Sequence, residues 1–328
     1  MKRASLKSIA AAAGVSKTTA SFVLNGKGKQ HKINTTTQER ILEEARQQNY
    51  QPSFLAQTLS SGKTMTIGLL LPQNEDNLAN ALLHHLIPEL QLLNYRLLPG
   101  IAPEPNFGER EIIDDFILRQ TDAIVAVKPL HENEWAGSLA ILQTPLVIIS
   151  NEESSVLPNT IKHDYAQIIN MLIQQHFQHH KKAIGFIGKE RDNNPRLKAY
   201  LSCYIERFDI SSNYHYLLKQ AEPIANALKA LIQQSVNAII FESPKMAIQA
   251  INYIQTNHLP NIEHTSLSCI GWTPELTFAQ PKVLGVDYDP FKLAKQVSLL
   301  ISAALNPQPD TNNLIREAIY QLYPNEQT

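Results

Sequence analysis

Two short helical segments joined by a glycine occupy the first 26 residues, and this pairing constrains the fold more than any other feature of the chain. Ser5 precedes LKSIAAAA and Ser16 precedes KTTASFVLN, so each segment has a hydroxyl residue where a helix N-cap is expected. Gly14 ends the first segment, and Asn25 with the glycine after it ends the second. Two short helices around a tight glycine-containing turn are typical of a helix-turn-helix motif. The apolar residues expected to pack the pair are Ile9, Ala10, Val15, Ala20 and Val23.

A third helix is predicted from Thr36 or Thr37 to Gln48, with Ile41, Leu42 and Ala45 on one side. On the second helix, the outward residues carry hydroxyl and ammonium groups, which can meet phosphates or base edges of DNA. These outward residues are Lys17, Thr18, Thr19, Ser21 and Phe22.

Charge is divided unevenly along the chain. Residues 1–63 hold ten Lys/Arg and three acids, a net of +7, whereas residues 64–328 hold 19 basic and 27 acidic residues, a net of −8. The overall net charge of −1 therefore hides a basic segment that suits a polyanion, joined to an acidic body. A solvated basic surface is the alternative, and charge alone does not decide between the two.

The segment from Tyr50 to Gly62 is predicted to be a short hinge helix. Pro52 ends the third helix, Ser53 can cap a new one, and Gly62 can end it. About two turns are too short to be stable alone in water, so a helix that forms on DNA fits this segment. Leu59 would then be a wedge into a minor-groove base step. A plain linker with Leu59 packed on the body is the alternative.

Residues 64–328 alternate apolar strands with helical segments, which predicts doubly wound parallel sheets in two lobes. In such folds ligands bind at the carboxyl ends of the strands, here the cleft between the lobes. The strand candidates are Thr66–Leu71, Ala123–Val127, Leu146–Ile149, Ala183–Ile187, Ala238–Phe241 and Leu267–Gly271. The helix candidates are Asn80–Leu93, Glu109–Leu118, Ala166–Phe177, Arg196–Arg207, Ala225–Gln234 and Met246–Gln255.

The ordered series LKSIAAAAGVSKTTASFVLNG and TTTQERILEEARQQNYQPSFLAQTLSSGKTMTIGLLLP resembles the LacI family of regulators. The stretch TTASFVLNGKGKQHKI looks closest to its fructose-repressor, or catabolite repressor/activator, branch. The resemblance implies an all-α helix-turn-helix DNA-binding domain in residues 1–51, a hinge in 52–63 and a two-lobed, periplasmic-binding-protein-like α/β body in 64–328. It also implies base-reading roles for Lys17, Thr18 and Phe22, and an operator-kinking role for Leu59. The DNA-binding candidates are Ser16, Lys17, Thr18, Thr19, Ser21, Phe22, Asn25, Lys29 and Leu59.

The resemblance continues more weakly through HHKKAIGFIG, NAIIFESPKMAIQAI, SCIGWTPEL and PKVLGVDYDPFKLA. It implies an effector cleft in which Arg196 holds a sugar hydroxyl pair or a phosphate. The chain departs from the family pattern at Ser150-Asn151, Ser243 and Thr273, where carboxylates or amides that accept from sugar hydroxyls are usual. A sugar phosphate, or a cleft that no longer senses, are the two open interpretations. The effector-binding candidates are Ser150, Asn151, Asp164, Arg196, Ser243 and Thr273.

The remaining motifs do not predict catalysis, a cofactor or a metal. Cys203 and Cys269 match no metal or redox spacing and are expected to be buried thiols of a cytoplasmic protein. His176 and His180 have i,i+4 spacing but no third ligand nearby, so helix-end histidines are favoured over zinc. No G-x-S-x-G nucleophile motif is found, which disfavours an enzyme.

The predicted partners are a palindromic operator in double-stranded DNA and a small-molecule effector. Two-fold symmetry of the operator predicts a homodimer, and the last residues show no apolar heptad for a larger assembly. A poor signal peptide and no run of about 18 apolar residues predict a cytoplasmic protein that does not engage membranes. The rival interpretations are an effector-independent DNA-binding regulator, a soluble sugar-binding protein and an enzyme with a sugar-binding-like cleft.

Overall fold

The structure is a computed structural model that divides the chain into two compact units, Met1–Met65 and Thr66–Thr328. We refer to the first unit as the head and to the second as the body. The described residues are 4–50, 58, 61–72, 77–102, 108–129, 131–150, 157, 159–208, 214–257, 259, 262–306 and 319–324.

The described part of the head includes the helices α1 (Leu6–Ala12), α2 (Lys17–Leu24) and α3 (Thr35–Gln47). The predicted cap of α1 is confirmed, because the Ser5 side chain accepts from the backbone N–H of Ser8 in a capping box. The third helix begins earlier than predicted, since the Asn34 side chain caps it by accepting from the Thr36 N–H at 2.9 Å. Between α1 and α2, Gly14 has φ +61°, a left-handed conformation that favours glycine.

A small apolar core holds the three helices together. Leu42 was predicted to lie on the same side of the third helix as Ile41 and Ala45, but it is 40 % exposed whereas those two are buried. Val15 is partly buried against the core. The Leu42 prediction is wrong because Ile41 already takes the core position, and the next residue on a helix points about 100° away. The buried core residues are Ile9, Ala10, Ala13, Ala20, Val23, Ile41 and Ala45.

The described strands of the body form two sheets, which confirms the prediction of two parallel-sheet lobes. The strands are β1 (Thr66–Leu71), β2 (Arg96–Ile101), β3 (Ala123–Val127), β4 (Leu146–Ser150), β5 (Thr160–Lys162), β6 (Ile184–Lys189), β7 (His215–Leu218), β8 (Ala238–Phe241), β9 (Ser266–Ile270), β10 (Val283–Tyr288) and β11 (Tyr320–Tyr323). The first sheet has the order β2-β1-β3-β4-β5 with all neighbours parallel. The second sheet has the order β11-β10-β9-β8-β6-β7 and is parallel except for β11, which runs antiparallel to β10.

Helices cover the sheets, and the last of them returns to the first lobe. That helix packs on the first helix of the body and on β3 and β4, so the chain passes between the lobes more than once. The body helices are α4 (Asn77–Leu92), α5 (Glu109–Leu118), α6 (Glu132–Ile141), α7 (Tyr165–Gln178), α8 (Pro195–Phe208), α9 (Ile224–Gln233), α10 (Pro244–Asn257) and α11 (Pro290–Leu305).

The strand and helix candidates of the body are confirmed within a few residues, but further elements escaped prediction. The missed strands are β2, β5, β7, β10 and β11, and the missed helices are α6 and α11. Strands β2, β5, β7 and β11 are sheet edges, with mixed or very short apolar patterns that do not stand out in a sequence. Among the described helices, none combines the length and apolar character needed to cross a bilayer.

Candidate DNA-reading surface and effector cleft

Helix α2, the second helix of the predicted helix-turn-helix, is held in place by a cap at its start and by two buried residues. The Ser16 hydroxyl accepts from the Thr19 N–H at 3.0 Å and lies 2.8 Å from the Thr19 hydroxyl, while Ala20 and Val23 are buried. Ser16 and Thr19, both predicted DNA contacts, are therefore already hydrogen-bonded within the helix start. Lys17 and Thr18, the next predicted contacts, are exposed. The first turn of α2 therefore exposes an ammonium group and a hydroxyl group.

The side chain of Phe22, another predicted DNA contact, stacks on the ring of His31. Its ring lies parallel to the His31 ring, with centroids 3.5 Å apart and planes 12° from parallel. One turn along the same helix, the Asn25 side-chain amide donates to the Ser21 hydroxyl at 3.3 Å. Phe22 and Ser21 are half-buried, and Asn25 is exposed. His31 was missed as a site residue, although its place beside three lysines in GKGKQHKI was a signal that could have found it.

The segment between α2 and α3 is held in place by backbone hydrogen bonds. The Lys27 N–H donates to the Phe22 carbonyl at 2.8 Å, and the Ile33 N–H donates to the Gly28 carbonyl at 2.9 Å. A Cβ at Gly28 would come within 2.5 Å of the Gln38 amide oxygen, so a side chain there would require the Gln38 side chain to move. The loop thereby presents exposed cations beside α2, namely Lys27, Lys29 and Lys32.

Leu59 and Asn151, two other predicted site residues, lie outside the described residues.

Three of the predicted effector residues have local hydrogen bonds around helix starts. Asp164 is the N-cap of α7, since its carboxylate accepts from the Gln167 N–H at 2.9 Å. Ser243 accepts from the Met246 N–H at 3.4 Å at the start of α10. Thr273 is buried and its hydroxyl donates to the Glu275 carboxylate. Ser150 ends β4 and is 2 % exposed.

Arg196, the principal predicted effector residue, is paired with a carboxylate that sequence reasoning missed. Its Nη1 lies 3.1 Å from Glu242 Oε1, and its guanidinium carbon lies 4.8 Å from the centre of the Tyr165 ring. Arg191 Nη2 reaches the same Glu242 oxygen at 2.7 Å. The position of Glu242, directly after the buried strand β8, was the available signal, because ligand-contacting residues of α/β folds lie at strand ends.

A neutral histidine lies near Arg196 within an aromatic cluster. The His163 ring centre is 4.7 Å from that of Tyr165, 4.8 Å from Tyr288 and 5.5 Å from Tyr320. Burial, followed by the positive charges of Lys128 and Arg196, lowers the pKa of His163 to about 3. Lys128 follows β3 and His163 follows β5, and the His163 ring lies beside Tyr165, whose ring also lies against Arg196.

His176 and His180, the candidate zinc pair, lie in different environments. His176 is buried, with Nε2 2.8 Å from the Ser268 hydroxyl, whereas His180 is exposed beyond the end of α7. Burial lowers the pKa of His176 to about 4. Within the described ranges, no group of three or more His, Cys, Asp or Glu side chains could hold a metal ion. Cys203 and Cys269 are buried free thiols, as predicted.

Known proteins resemble both units. The family described as "Bacterial regulatory proteins, lacI family" matches residues 5–53. The "Sucrose operon repressor" of Klebsiella pneumoniae is 34 % identical over 179 residues, 53 % of each chain. The "Catabolite repressor/activator" of Escherichia coli (strain K12) is 36 % identical over 137 residues, 40 % of this chain and 41 % of that one. The chain thus spans about half, or less, of the length of these curated relatives.

The fold of the whole chain also matches a solved structure. The lac repressor dimer bound to operator and an anti-inducer aligns with a TM-score of 0.73, 15 % identity and 94 % coverage of both chains. At that identity the likeness concerns the fold. The relatives above are named as regulators of transcription, and none of those names is that of an enzyme.

Proposed function

We propose that this chain, whose residues 5–53 match the lacI family of bacterial regulatory proteins, is a transcription regulator that binds a palindromic operator as a homodimer. The observation that carries the proposal is the first turn of α2, where Lys17 and Thr18 are exposed on a helix whose other side is anchored in the head core. A helix held in this way can enter a major groove and bring both groups to base edges.

The loop after α2 supplies the contacts that do not depend on sequence. Lys27, Lys29 and Lys32 are exposed beside the recognition helix and suit neighbouring phosphates. Each neutralised phosphate releases counterions, so affinity falls steeply with salt. Ser16 and Thr19 belong to this proposal in a reduced role, because their hydroxyls already serve the cap of α2. The two remaining predicted contacts, Ser21 and Asn25, lie toward the C-terminal end of α2.

The hinge completes the DNA-binding proposal. Residues 1–51 read the two half-sites, residues 52–63 form hinge helices on DNA, and residues 64–328 dimerise. Two copies of Leu59 would wedge open the centre of the operator, as apolar side chains do at other kinked steps. A change in the body that alters the spacing of the paired hinges would then change operator affinity. Such a regulator works where the chromosome is, in the cytoplasm.

The target genes are proposed to serve carbohydrate metabolism, with the chain acting as a repressor. Relatives named for sucrose operons and for catabolite control support this class. The effector is proposed to bind the body at the carboxyl ends of the strands, beside Arg196. A sugar phosphate remains a prediction from the sequence, and the Glu242 partner of Arg196 weighs against it.

An effector-independent regulator is the second candidate, and one observation favours it. Arg196 is paired with Glu242, Thr273 with Glu275, and Asp164 with the start of α7, so several cleft groups are satisfied by the protein itself. A scan of thermal stability against neutral sugars and sugar phosphates separates the candidates. A ligand at 100 times its dissociation constant adds roughly 2.7 kcal/mol to the free energy of unfolding.

Selection of DNA from a random library by the purified protein tests the main proposal. We expect recovery of one near-palindromic sequence, bound with a salt dependence that corresponds to about 6–10 phosphate contacts. Leu59→Ala should weaken binding to that sequence far more than binding to random DNA. Enrichment of no sequence at low salt would contradict the proposal.

A further inference from the structure

The Glu242 carboxylate is surrounded by donors on both oxygens. Oε1 accepts from Arg191 Nη2 at 2.7 Å and from Arg196 Nη1 at 3.1 Å. Oε2 accepts from the Lys189 backbone N–H at 2.8 Å and from the Asn194 side-chain amide at 3.1 Å. The side chain is 4 % exposed. A buried carboxylate with four donors is fully hydrogen-bonded, which removes the usual cost of burying it.

The donors around Glu242 are the groups that proteins use to bind phosphate. Guanidinium groups present several N–H groups in a planar fork, and backbone N–H groups at the end of a strand complement them. Here the anion that they hold belongs to the chain. Asn194 is itself buried and reaches back to the Lys189 carbonyl at 3.1 Å, so the loop between β6 and α8 is shaped around this carboxylate.

The cluster lies where a ligand of the body would bind. Strands β6 and β8 are parallel neighbours, and the residues that bind one another follow their carboxyl ends. The Tyr165 ring lies 4.8 Å from the Arg196 guanidinium carbon and 4.7 Å from the ring of His163, which directly follows β5 of the first sheet. The cluster therefore lies at the carboxyl end of the second sheet, near the segment that crosses over from the first lobe.

Two buried polar atoms beside this cluster have no hydrogen-bond partner among the described residues. They are Arg196 Nε and His163 Nδ1. Arg196 Nε is a donor, whereas the ring nitrogen of a neutral histidine donates or accepts according to its tautomer. A hydroxyl group both donates and accepts, so it matches this pair, and the Tyr165 ring beside both residues offers an apolar face.

We propose that Glu242 is a specificity-determining residue: it acts as a built-in anion that occupies Arg191 and Arg196, excludes phosphorylated ligands and leaves the cleft to an uncharged polyhydroxylated effector. The inference rests on the proposed regulator function and specifies its effector class. A phosphate that entered would have to displace a carboxylate held by four donors, and that carboxylate would repel it at close range.

Titration of inorganic phosphate against the wild-type protein and Glu242→Gln tests the inference, with binding followed by calorimetry and by the melting temperature. Glutamine keeps the shape but removes the negative charge. We expect Glu242→Gln to bind phosphate about tenfold or more tightly than the wild type, because one charge-assisted hydrogen bond to the phosphate is worth at least a factor of ten. Sodium chloride at equal ionic strength separates site binding from a general salt effect.

Two further variants show whether the tighter binding belongs to this cluster. Glu190→Gln removes an exposed carboxylate nearby and should bind phosphate as the wild type does. Arg196→Ala in the Glu242→Gln background should return the phosphate affinity to the wild-type level. If Glu242→Gln does not fold in plain buffer, its refolding yield in phosphate against sodium chloride gives the same readout, and phosphate should raise it.

Equal phosphate affinity of wild type and Glu242→Gln, or equal refolding yields in the two salts, would overturn the proposal. Tight binding of phosphate by the wild-type protein would also overturn the proposal, whatever the variant does. Operator binding by the wild-type protein is measured separately. Failure to bind an operator would contradict the proposed regulator function. The phosphate titration contains no DNA, so its result tests the role of Glu242 independently.

Discussion

The head and the body use their polar side chains in opposite ways. In the head, Lys17, Thr18 and the loop lysines are exposed around a helix that is held from its apolar side. In the body, Arg196 is paired inside the protein with Glu242. Exposed groups are ready for a polyanion of many charges, whereas internally paired groups bind only a ligand that improves on the partner already present. The exposed groups of the head therefore suit binding to DNA, whereas the paired groups of the body suit the proposed exclusion of anionic ligands.

The largest effect is expected from breaking the head core. Ile41→Ala removes a fully buried side chain from a core of few residues, and such changes cost about 2–5 kcal/mol. Operator binding should be lost while the body keeps its fold, as measured by chemical unfolding and by DNA anisotropy. Leu42→Ala is the matched control on the next residue. It is 40 % exposed and should stay within about 0.5 kcal/mol of the wild type.

Acid should weaken the body through its buried histidines. The native pKa of His163 is about 3 and that of His176 about 4, both below the ordinary value of 6.5. Between these values and 6.5 the unfolded state binds more protons, so stability is complete above about pH 6.5 and falls as the pH decreases. Each histidine should cost roughly 2 kcal/mol by about pH 5, measured by urea unfolding.

Variants assign this acid sensitivity to the buried rings. His163→Gln should flatten the decline between pH 7 and pH 5, while the exposed His180→Gln should leave it unchanged. An unchanged slope in His163→Gln would show that the ring is protonated or exposed in the native protein.

Asp164 distinguishes a helix cap from a ligand contact. Asp164→Ala removes the acceptor of the Gln167 N–H and should cost about 1 kcal/mol of unfolding free energy. Asp164→Asn keeps an acceptor and should lower the free energy of unfolding by only a few tenths of a kcal/mol. If the two variants unfold alike but differ in ligand response, Asp164 is a ligand residue rather than a cap.

The smallest effect is expected from the aromatic stack of the head. His31→Ala removes the ring against Phe22, and such ring pairs are worth about 0.5–1.5 kcal/mol. Specific operator affinity should fall several-fold, and His31→Tyr should restore it. Gln30→Ala, an exposed neighbour, serves as the control and should change little.

The same contrast explains what the sequence predicted well. Caps at Ser5 and Ser16 and the glycine turn are local, so a few adjacent residues reveal them. Buried parallel strands such as β3 and β8 are continuous apolar runs, and their bounds were predicted residue for residue. Sheet edges such as β7 and β11 carry weak patterns and were missed.

The cleft could not be predicted in the same way because its contacts are distant in sequence. Arg196 and Glu242 are 46 residues apart, and nothing in their local patterns pairs them. His163 contacts Tyr288 and Tyr320, which lie on β10 and β11 far along the chain, and no local pattern pairs them. Resemblance supplied Arg196 as a candidate but not the partner that decides what it can bind.

In the proposed complex, α2 reads bases while the loop after it holds phosphates. The direct test measures the dissociation constants of Lys17→Ala and Lys29→Ala for the selected operator and for random DNA across a salt series. We expect Lys17→Ala to lose about 1–3 kcal/mol on the operator and to relax its specificity, whereas Lys29→Ala should weaken binding to both DNAs alike and lower the salt slope by about one. Equal losses on both DNAs for Lys17→Ala would contradict this division of roles.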